Sequence, residues 1–487
     1  MSDITLHVLN EAYIKVECEK HYAQELNEYF SFRVPGYQFT PAYKNKIWDG
    51  YIKLFSLKDN TIYRGLLPYI EKFAKERNYQ LNIHDNLNVV DELSLKETTE
   101  FIQSLNLPLE PRDYQIKSFI HAIRNRRMLL VSPTASGKSL IIYLIIRYFQ
   151  EIDLKRGLLI VPNISLVTQM NKDFESYGYD SLENCHTIHQ GRDKQAKKFL
   201  FISTWQSIYT QPKEYFEQFD FVIGDEAHSF KAKSLTTIMT SCIHSKYRIG
   251  CTGTLDGTQT HRLVLEGLFG PVYQSTSTSE LIEKKQLADF KIKCLILKYP
   301  KIVCKESRKW DYQTEIDYIV SNSKRNEFIK NLVLSLNGNT LVLFQLVERH
   351  GKILYDLIQK HSSDRHTFFV FGGTDVEVRE SVRSITEKES NAIIVASYGV
   401  YSTGVNIRNL HNIVFASPSK SRVRNLQSIG RGLRIGENKK EATLFDIVDD
   451  LRLGKHTNYT LKHFIERVKI YDDEKFNYKF YNIELKT

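Results

Sequence analysis

No two cysteines of this chain are spaced C-x-x-C, and none of its 15 histidines falls in an H-E-x-x-H pattern. These absences remove the commonest sequence signatures of a zinc site. The six cysteines (Cys18, Cys185, Cys242, Cys251, Cys294 and Cys304) are scattered, as expected of reduced, mostly buried thiols. Glycine and proline are sparse, 23 and 11 of 487 residues, too few for a collagenous or low-complexity chain. Long apolar runs are missing too. The most apolar stretch, Leu140 to Phe149, is interrupted by Tyr143 and Arg147, and a bilayer span needs about 20 residues. The start, MSDITLHVLN, has no apolar core behind a basic end, so no secretory leader is expected. The expectation is a soluble, intracellular protein with no membrane partner.

What is present is core material: 42% hydrophobic and 12% aromatic residues. Basic residues outnumber acidic ones, 67 to 57, for a net charge of +10. That excess suits a polyanionic partner without identifying one. Short β-branched runs alternate with helical stretches in two series. The first holds 128–132, 158–162, 199–203, 221–224 and 247–251; the second holds 340–344, 367–371, 392–396, 412–415 and 443–448. Continuous apolar strands with crossover helices belong to parallel sheets covered on both faces. The expected class is α/β, with two tandem parallel-sheet domains preceded by a small α+β domain. The expected boundaries are 1–105, 106–285, 286–455 and a basic tail at 456–487, which should pack against a neighbour.

The first strand runs into Pro133-Thr134-Ala135-Ser136-Gly137-Lys138-Ser139 and then an apolar helix. Strand, tight turn, Gly-Lys-Ser and helix are the context of a phosphate-binding loop. Backbone N–H groups and the helix N-terminus would cradle phosphate oxygens. Lys138 would neutralise the β- and γ-phosphates, and the Ser139 hydroxyl would sit on Mg²⁺. The full pattern wants glycine at 132, where this chain has serine. Alone, the loop would also fit a surface turn. The strand that ends at Gly224 delivers Asp225-Glu226-Ala227-His228. At a strand's C-terminal end, Asp225 would hold Mg²⁺ and Glu226 would deprotonate the attacking water. The two motifs in this order support one another.

With these residues the chain resembles the superfamily 2 helicases and translocases over about 108–450. The resemblance implies two RecA-like domains and several further roles. Arg112 and Gln115 would read the adenine. Pro162, Asn163 and Gln169, with Thr204 and Gln206, would contact nucleic-acid backbone. His228, Thr252 and Thr254 would couple hydrolysis to movement. In the second domain, Ser402 and Thr403 would touch nucleic acid, with Gly404 and Asn406 in the coupling set. Gln427, Arg431 and Arg434 form the Q-x-x-G-R-x-x-R segment. Two arginines three apart share a helix face and can reach a γ-phosphate bound to the other domain. Ala135 departs from the glycine common in the family and limits backbone freedom there.

Residues 31–80 carry nine basic and four acidic side chains, interleaved with Phe32, Tyr37, Phe39, Tyr43, Trp48, Tyr51 and Phe55. Lys44, Lys46, Lys53 and Arg64, with Trp48, are candidate nucleic-acid contacts. The rings fit equally well as the core of a small domain. The run Pro35-Gly36-Tyr37 to Lys46-Ile47-Trp48-Asp49-Gly50, ahead of such a motor, resembles the recombination helicases of tailed bacteriophages. That resemblance implies ATP-driven remodelling of forks, junctions and RNA–DNA hybrids in R-loops, in recombination, repair and replication. The partners would be branched duplex, single strand and RNA–DNA hybrid, in the host cytoplasm, with the protein monomeric or weakly self-associating. Two other readings remain open: a duplex translocase that does not separate strands, and a binding protein switched by ATP.

Overall fold

The computed structural model describes residues 2–485 apart from 85, 86, 88, 189–192, 256, 364, 404–406, 408, 422–425, 427, 431, 432 and 434–440. The chain divides into two compact units, one of residues 1–132 and 137–275, the other of 133–136 and 276–487.

The first unit holds a five-stranded N-terminal sheet and a seven-stranded parallel sheet. The N-terminal sheet runs, in spatial order, Phe55–Ser56, Thr61–Tyr63, Tyr13–Cys18, Ile4–Val8 and Leu81–Ile83. Helices Lys20–Tyr29 and Leu67–Arg77 contribute Leu26, Ile70 and Phe73 to its core. The parallel sheet runs Cys185–Ile188, Leu200–Thr204, Gly157–Val161, Phe221–Asp225, Tyr247–Thr252, Arg127–Val131, Val272–Gln274. Alternate strand residues enter two different cores, as the pleat requires. Leu158, Ile160, Phe201 and Val222 lie in the core that also holds the N-terminal sheet. Leu159, Val161, Ile202 and Ile223 pack with helix Lys138–Glu151 in the other. That helix is buried at Leu140–Ile146 and Phe149, which is why it reads as apolar all round.

The N-terminal sheet docks on helix Gln259–Phe269 through a polar and steric fit. Gly65 sits where a Cβ would lie 2.0 Å from the Glu266 carbonyl oxygen. The Tyr69 hydroxyl donates to the Glu266 carboxylate, which is 2% exposed. Glu11 pairs with Arg64 (2.8 Å) and Arg127 (2.6 Å), joining the N-terminal sheet to the first strand of the parallel one.

The second unit is also a seven-stranded parallel sheet, in the order Thr367–Val370, Ile393–Ser397, Thr340–Phe344, Asn412–Phe415, Glu441–Asp450, Asp289–Lys298, Asn477–Glu484. Its last strand, Asn477–Glu484, lies within the segment 456–487 expected as a basic tail. Helix Tyr459–Asp473 precedes it, and the strand pairs in parallel with Asp289–Lys298. Asp446, Asp449 and Asp450 are buried on one strand and tie it to its surroundings. Asp449 accepts from Arg325 (2.7 Å) and Tyr299 (2.8 Å), and Asp446 from Arg467 (2.8 Å) and Tyr471 (2.9 Å). Among the described residues no helix is long and apolar enough to cross a membrane.

Candidate functional site

Strand order explains how the two ATP-site motifs meet. All strands of the first parallel sheet point the same way, so their C-terminal ends form one edge, where such sheets bind ligands. Asp225 pairs with Cys251, and Thr252 with Val131. Strand Tyr247–Thr252 therefore separates the acidic motif from the phosphate loop, about two strand spacings or ~10 Å apart.

In the loop, Ser132 replaces the pattern's first glycine without disturbing it. Its N–H donates to the Thr252 carbonyl (2.9 Å) and its hydroxyl accepts from Ser275 (2.8 Å). Ala135 has φ +70°, a left-handed conformation that a Cβ disfavours by about 1 kcal/mol or more. Ser136 is buried, and its N–H donates to the Pro133 carbonyl. Gly137 has φ +78°, and a Cβ there would lie 2.4 Å from the Gln115 amide nitrogen. Helix Lys138–Glu151 starts at once, so its first N–H groups face the loop. Lys138 donates to the Ser132 carbonyl (3.3 Å), and the Ser139 hydroxyl lies 2.9 Å from that of Tyr177.

Gln115 is buried and braces the start of helix Asp113–Asn125. Its Oε1 accepts from the Arg112 N–H (2.8 Å), and its Nε2 approaches the Gly137 carbonyl (3.4 Å). The Arg112 guanidinium donates to the Tyr114 hydroxyl.

Asp225 is 7% exposed, and its Oδ1 is buried with no hydrogen-bond partner among the described residues. Burial, then the neighbouring Glu226 charge, raises its carboxyl well above the usual range, against the pull of Lys138. A divalent cation would satisfy that oxygen and reverse the penalty, and Ser139 offers a second hard oxygen. Glu226 adopts φ +49° and lies 3.3 Å from His228 Nδ1. His228 meets the Thr252 hydroxyl at 3.0 Å, and that hydroxyl donates to the Thr254 carbonyl (3.0 Å). A polar chain thus runs from the acidic pair to the Thr252–Thr254 segment.

The expected nucleic-acid residues fall into three groups. Asn163 caps helix Ile164–Ser176, accepting from the Leu166 N–H, and with Pro162 and Gln169 is half-buried at that helix. Thr204 is buried with its hydroxyl 2.9 Å from Ser207, whereas Gln206 is exposed. In the N-terminal domain Lys44 and Lys46 are exposed beside a surface cavity of about 810 Å³, also lined by Tyr43, Ile47 and Trp48. Phe39 and Ile47 are 73% and 79% exposed there, so these side chains are not core. Phe55 is core, at 1% exposed. Lys53 is exposed and paired with Asp49. Arg64 needs correction: at 8% exposed and paired with Glu11, it belongs to the domain contact and is not placed to meet a phosphate. Ser402 and Thr403 lie on helix Tyr398–Thr403, with their side chains outside the described set. Gly404, Asn406, Gln427, Arg431 and Arg434 lie outside the described residues. Tyr177 and Gly65 carried no sequence signal: one follows a helix in a Y-G-Y run, the other looks like an ordinary turn glycine.

Comparison with known proteins agrees with this geometry. Residues 108–257 match the family model for the type III restriction enzyme res subunit. Residues 3–84 match that for the N-terminal part of DNA helicase UvsW. The ATP-dependent DNA helicase uvsW of Enterobacteria phage T4 is 35% identical, over 99% of this chain and 100% of that protein. The chain belongs to the UvsW family of ATP-dependent DNA helicases. The crystal structure of T4 UvsW superposes with a TM-score of 0.53 at 33% identity, covering 99% of this chain and 100% of that one. A more distant relative, the DNA 3'-5' translocase XPB2 of Sulfurisphaera tokodaii, is 24% identical over 73% of this chain and 87% of its own. As a UvsW-family member the chain is a superfamily 2 helicase that uses ATP.

Proposed function

We propose that this helicase uses ATP and Mg²⁺ to remodel branched DNA: forks, junctions and the RNA–DNA hybrids of R-loops, in phage recombination, repair and replication. The observation that carries the reading is the fit of the N-terminal domain onto the ATP-binding unit at Gly65, Tyr69 and Glu266, with Lys44 and Lys46 exposed on that domain. A duplex grip so fixed moves with the motor that pulls on a single strand, which is what separating a branch requires.

In this mechanism Lys138 and the loop N–H groups hold the phosphates. Asp225 and Ser139 would hold Mg²⁺, which would supply charge neutralisation for the bound phosphates. Glu226 takes the proton of the attacking water, and His228 passes the change in the acidic pair to Thr252 and Thr254. Arg431 and Arg434 neutralise the negative charge of the transition state, a role typically worth 10³–10⁵ in rate for an arginine finger, and Gln427 adds a neutral hydrogen-bonding group beside them. Pro162, Asn163, Gln169 and Gln206, with Ser402 and Thr403, grip the strand; Thr204 holds its loop.

The test is ATP turnover and strand displacement on single strand, plain duplex, a fork, a four-way junction and an R-loop. The reading expects the greatest stimulation and displacement on the branched substrates, and reduced affinity for these in Lys44→Glu/Lys46→Glu. Turnover without displacement would mark a translocase.

A further inference from the structure

Ser139 is held by a residue that the mechanism above does not use. Its hydroxyl lies 2.9 Å from the Tyr177 hydroxyl, either of which can donate. Tyr177 is itself fixed. The Tyr143 ring, one turn after Ser139 on the same helix, packs against it with centroids 5.2 Å apart. The Tyr143 hydroxyl, on a buried side chain, reaches the Tyr177 carbonyl at 3.4 Å. The Tyr177 N–H closes helix Ile164–Ser176 by donating to the Asp173 carbonyl.

A serine hydroxyl has one proton and two lone pairs. When a lone pair faces a metal ion, the proton needs an acceptor elsewhere, and that acceptor sets the direction of the lone pair. The Tyr177 oxygen is in hydrogen-bond range to be that acceptor. The other end of the same helix begins at Asn163, in the loop read as a nucleic-acid contact. Thirteen residues at 1.5 Å each place the two ends about 20 Å apart on one rigid rod.

We propose that Tyr177 is a positioning residue: its phenolic oxygen accepts a hydrogen bond from the Ser139 hydroxyl, orients that hydroxyl toward Mg²⁺, and links the metal end of the ATP site to the nucleic-acid loop at Asn163. The inference rests on Ser139 as the metal ligand. Tyr177→Phe removes the phenolic oxygen and keeps the ring against Tyr143.

The decisive experiment is calorimetric binding of a non-hydrolysable ATP analogue to the full chain across a Mg²⁺ titration, with and without a single-stranded oligonucleotide. Tyr177→Phe should weaken the Mg²⁺-dependent part of binding about 10-fold, the lower end of typical losses when a metal ligand's supporting partner is removed. Binding without Mg²⁺ should be unchanged. The oligonucleotide should shift the Mg²⁺ response of the wild type more than that of the variant. An unchanged Mg²⁺ response in Tyr177→Phe overturns the proposal, and a stronger one shows that the phenol holds the serine away from the metal. An equal oligonucleotide effect in both proteins overturns the link. Ser139→Ala separates the premise: if its Mg²⁺ response is that of the wild type, Ser139 is not the ligand and the parent reading fails first.

Discussion

Replacing Gly65 by alanine should loosen the N-terminal domain from the motor. The added Cβ would lie 2.0 Å from the Glu266 carbonyl oxygen and 2.7 Å from that of Gly267. Both are backbone atoms of helix Gln259–Phe269, so no rotamer change relieves the clash. Ordinary contact begins near 3.4 Å, so the surfaces must part by about 1.4 Å. Overpacking of this kind costs about 1–3 kcal/mol. Parting also lengthens the bond from Tyr69 to the buried Glu266 carboxylate, a loss of about 1–3 kcal/mol. The sum, about 2–6 kcal/mol, corresponds to a fall in Tm of roughly 4–12 °C, at about 2 °C per kcal/mol for a unit of this size. Gly372→Ala is the control, because a Cβ there meets nothing within 4 Å. Thermal unfolding and fork displacement are the assays. At a temperature where the variant remains folded, ATPase on single strand should survive while fork displacement falls. A Gly65→Ala protein with wild-type Tm and wild-type displacement would refute both the packing argument and the fixed-grip reading.

Other outcomes follow from the same geometry. Lys138→Ala should lower ATP turnover by 10² or more with far-ultraviolet circular dichroism unchanged. Asp449→Ala strands the Arg325 guanidinium in a buried site and should destabilise the second unit by about 3–5 kcal/mol in denaturant titrations. His350 is fully buried beside the Ser417 hydroxyl (2.8 Å); burial, then the Arg325 charge, pushes its pKa down to about 3. The unfolded histidine takes up a proton near pH 6.5 while the folded one stays neutral, so this stability is present above pH 6.5 and is lost as pH falls toward 3. At pH 5 the loss is about 2 kcal/mol. His350→Asn should have a flatter stability profile between pH 7 and 5.

Much of this architecture was legible in the chain. The centre of each sheet reads as continuous apolar runs, and strands Thr340–Phe344 and Asn412–Phe415 begin and end where those runs do. In the two parallel sheets four strands were missed: Cys185–Ile188, Val272–Gln274, Asp289–Lys298 and Asn477–Glu484. All lie at or next to a sheet edge, and several of their side chains face solvent. Asp289–Lys298 alternates lysine with apolar residues, and Asn477–Glu484 is mostly exposed, so neither presents a buried run. The phosphate loop and acidic pair were legible because their chemistry is local. Arg64 misled because a buried cation paired with Glu11 and a free surface cation are the same letter. Tyr177 and Gly65 were invisible because their meaning lies in partners 38 and about 200 residues away.

The account turns on Glu226 as the base that lets hydrolysis drive strand separation. The direct measurement is ATP turnover and displacement of a labelled forked duplex in one reaction, wild type against Glu226→Gln, with ATP-analogue affinity measured alongside. The predicted result is a loss of at least about 10² in both rates with analogue affinity preserved. Wild-type turnover in the Glu226→Gln protein would contradict the account.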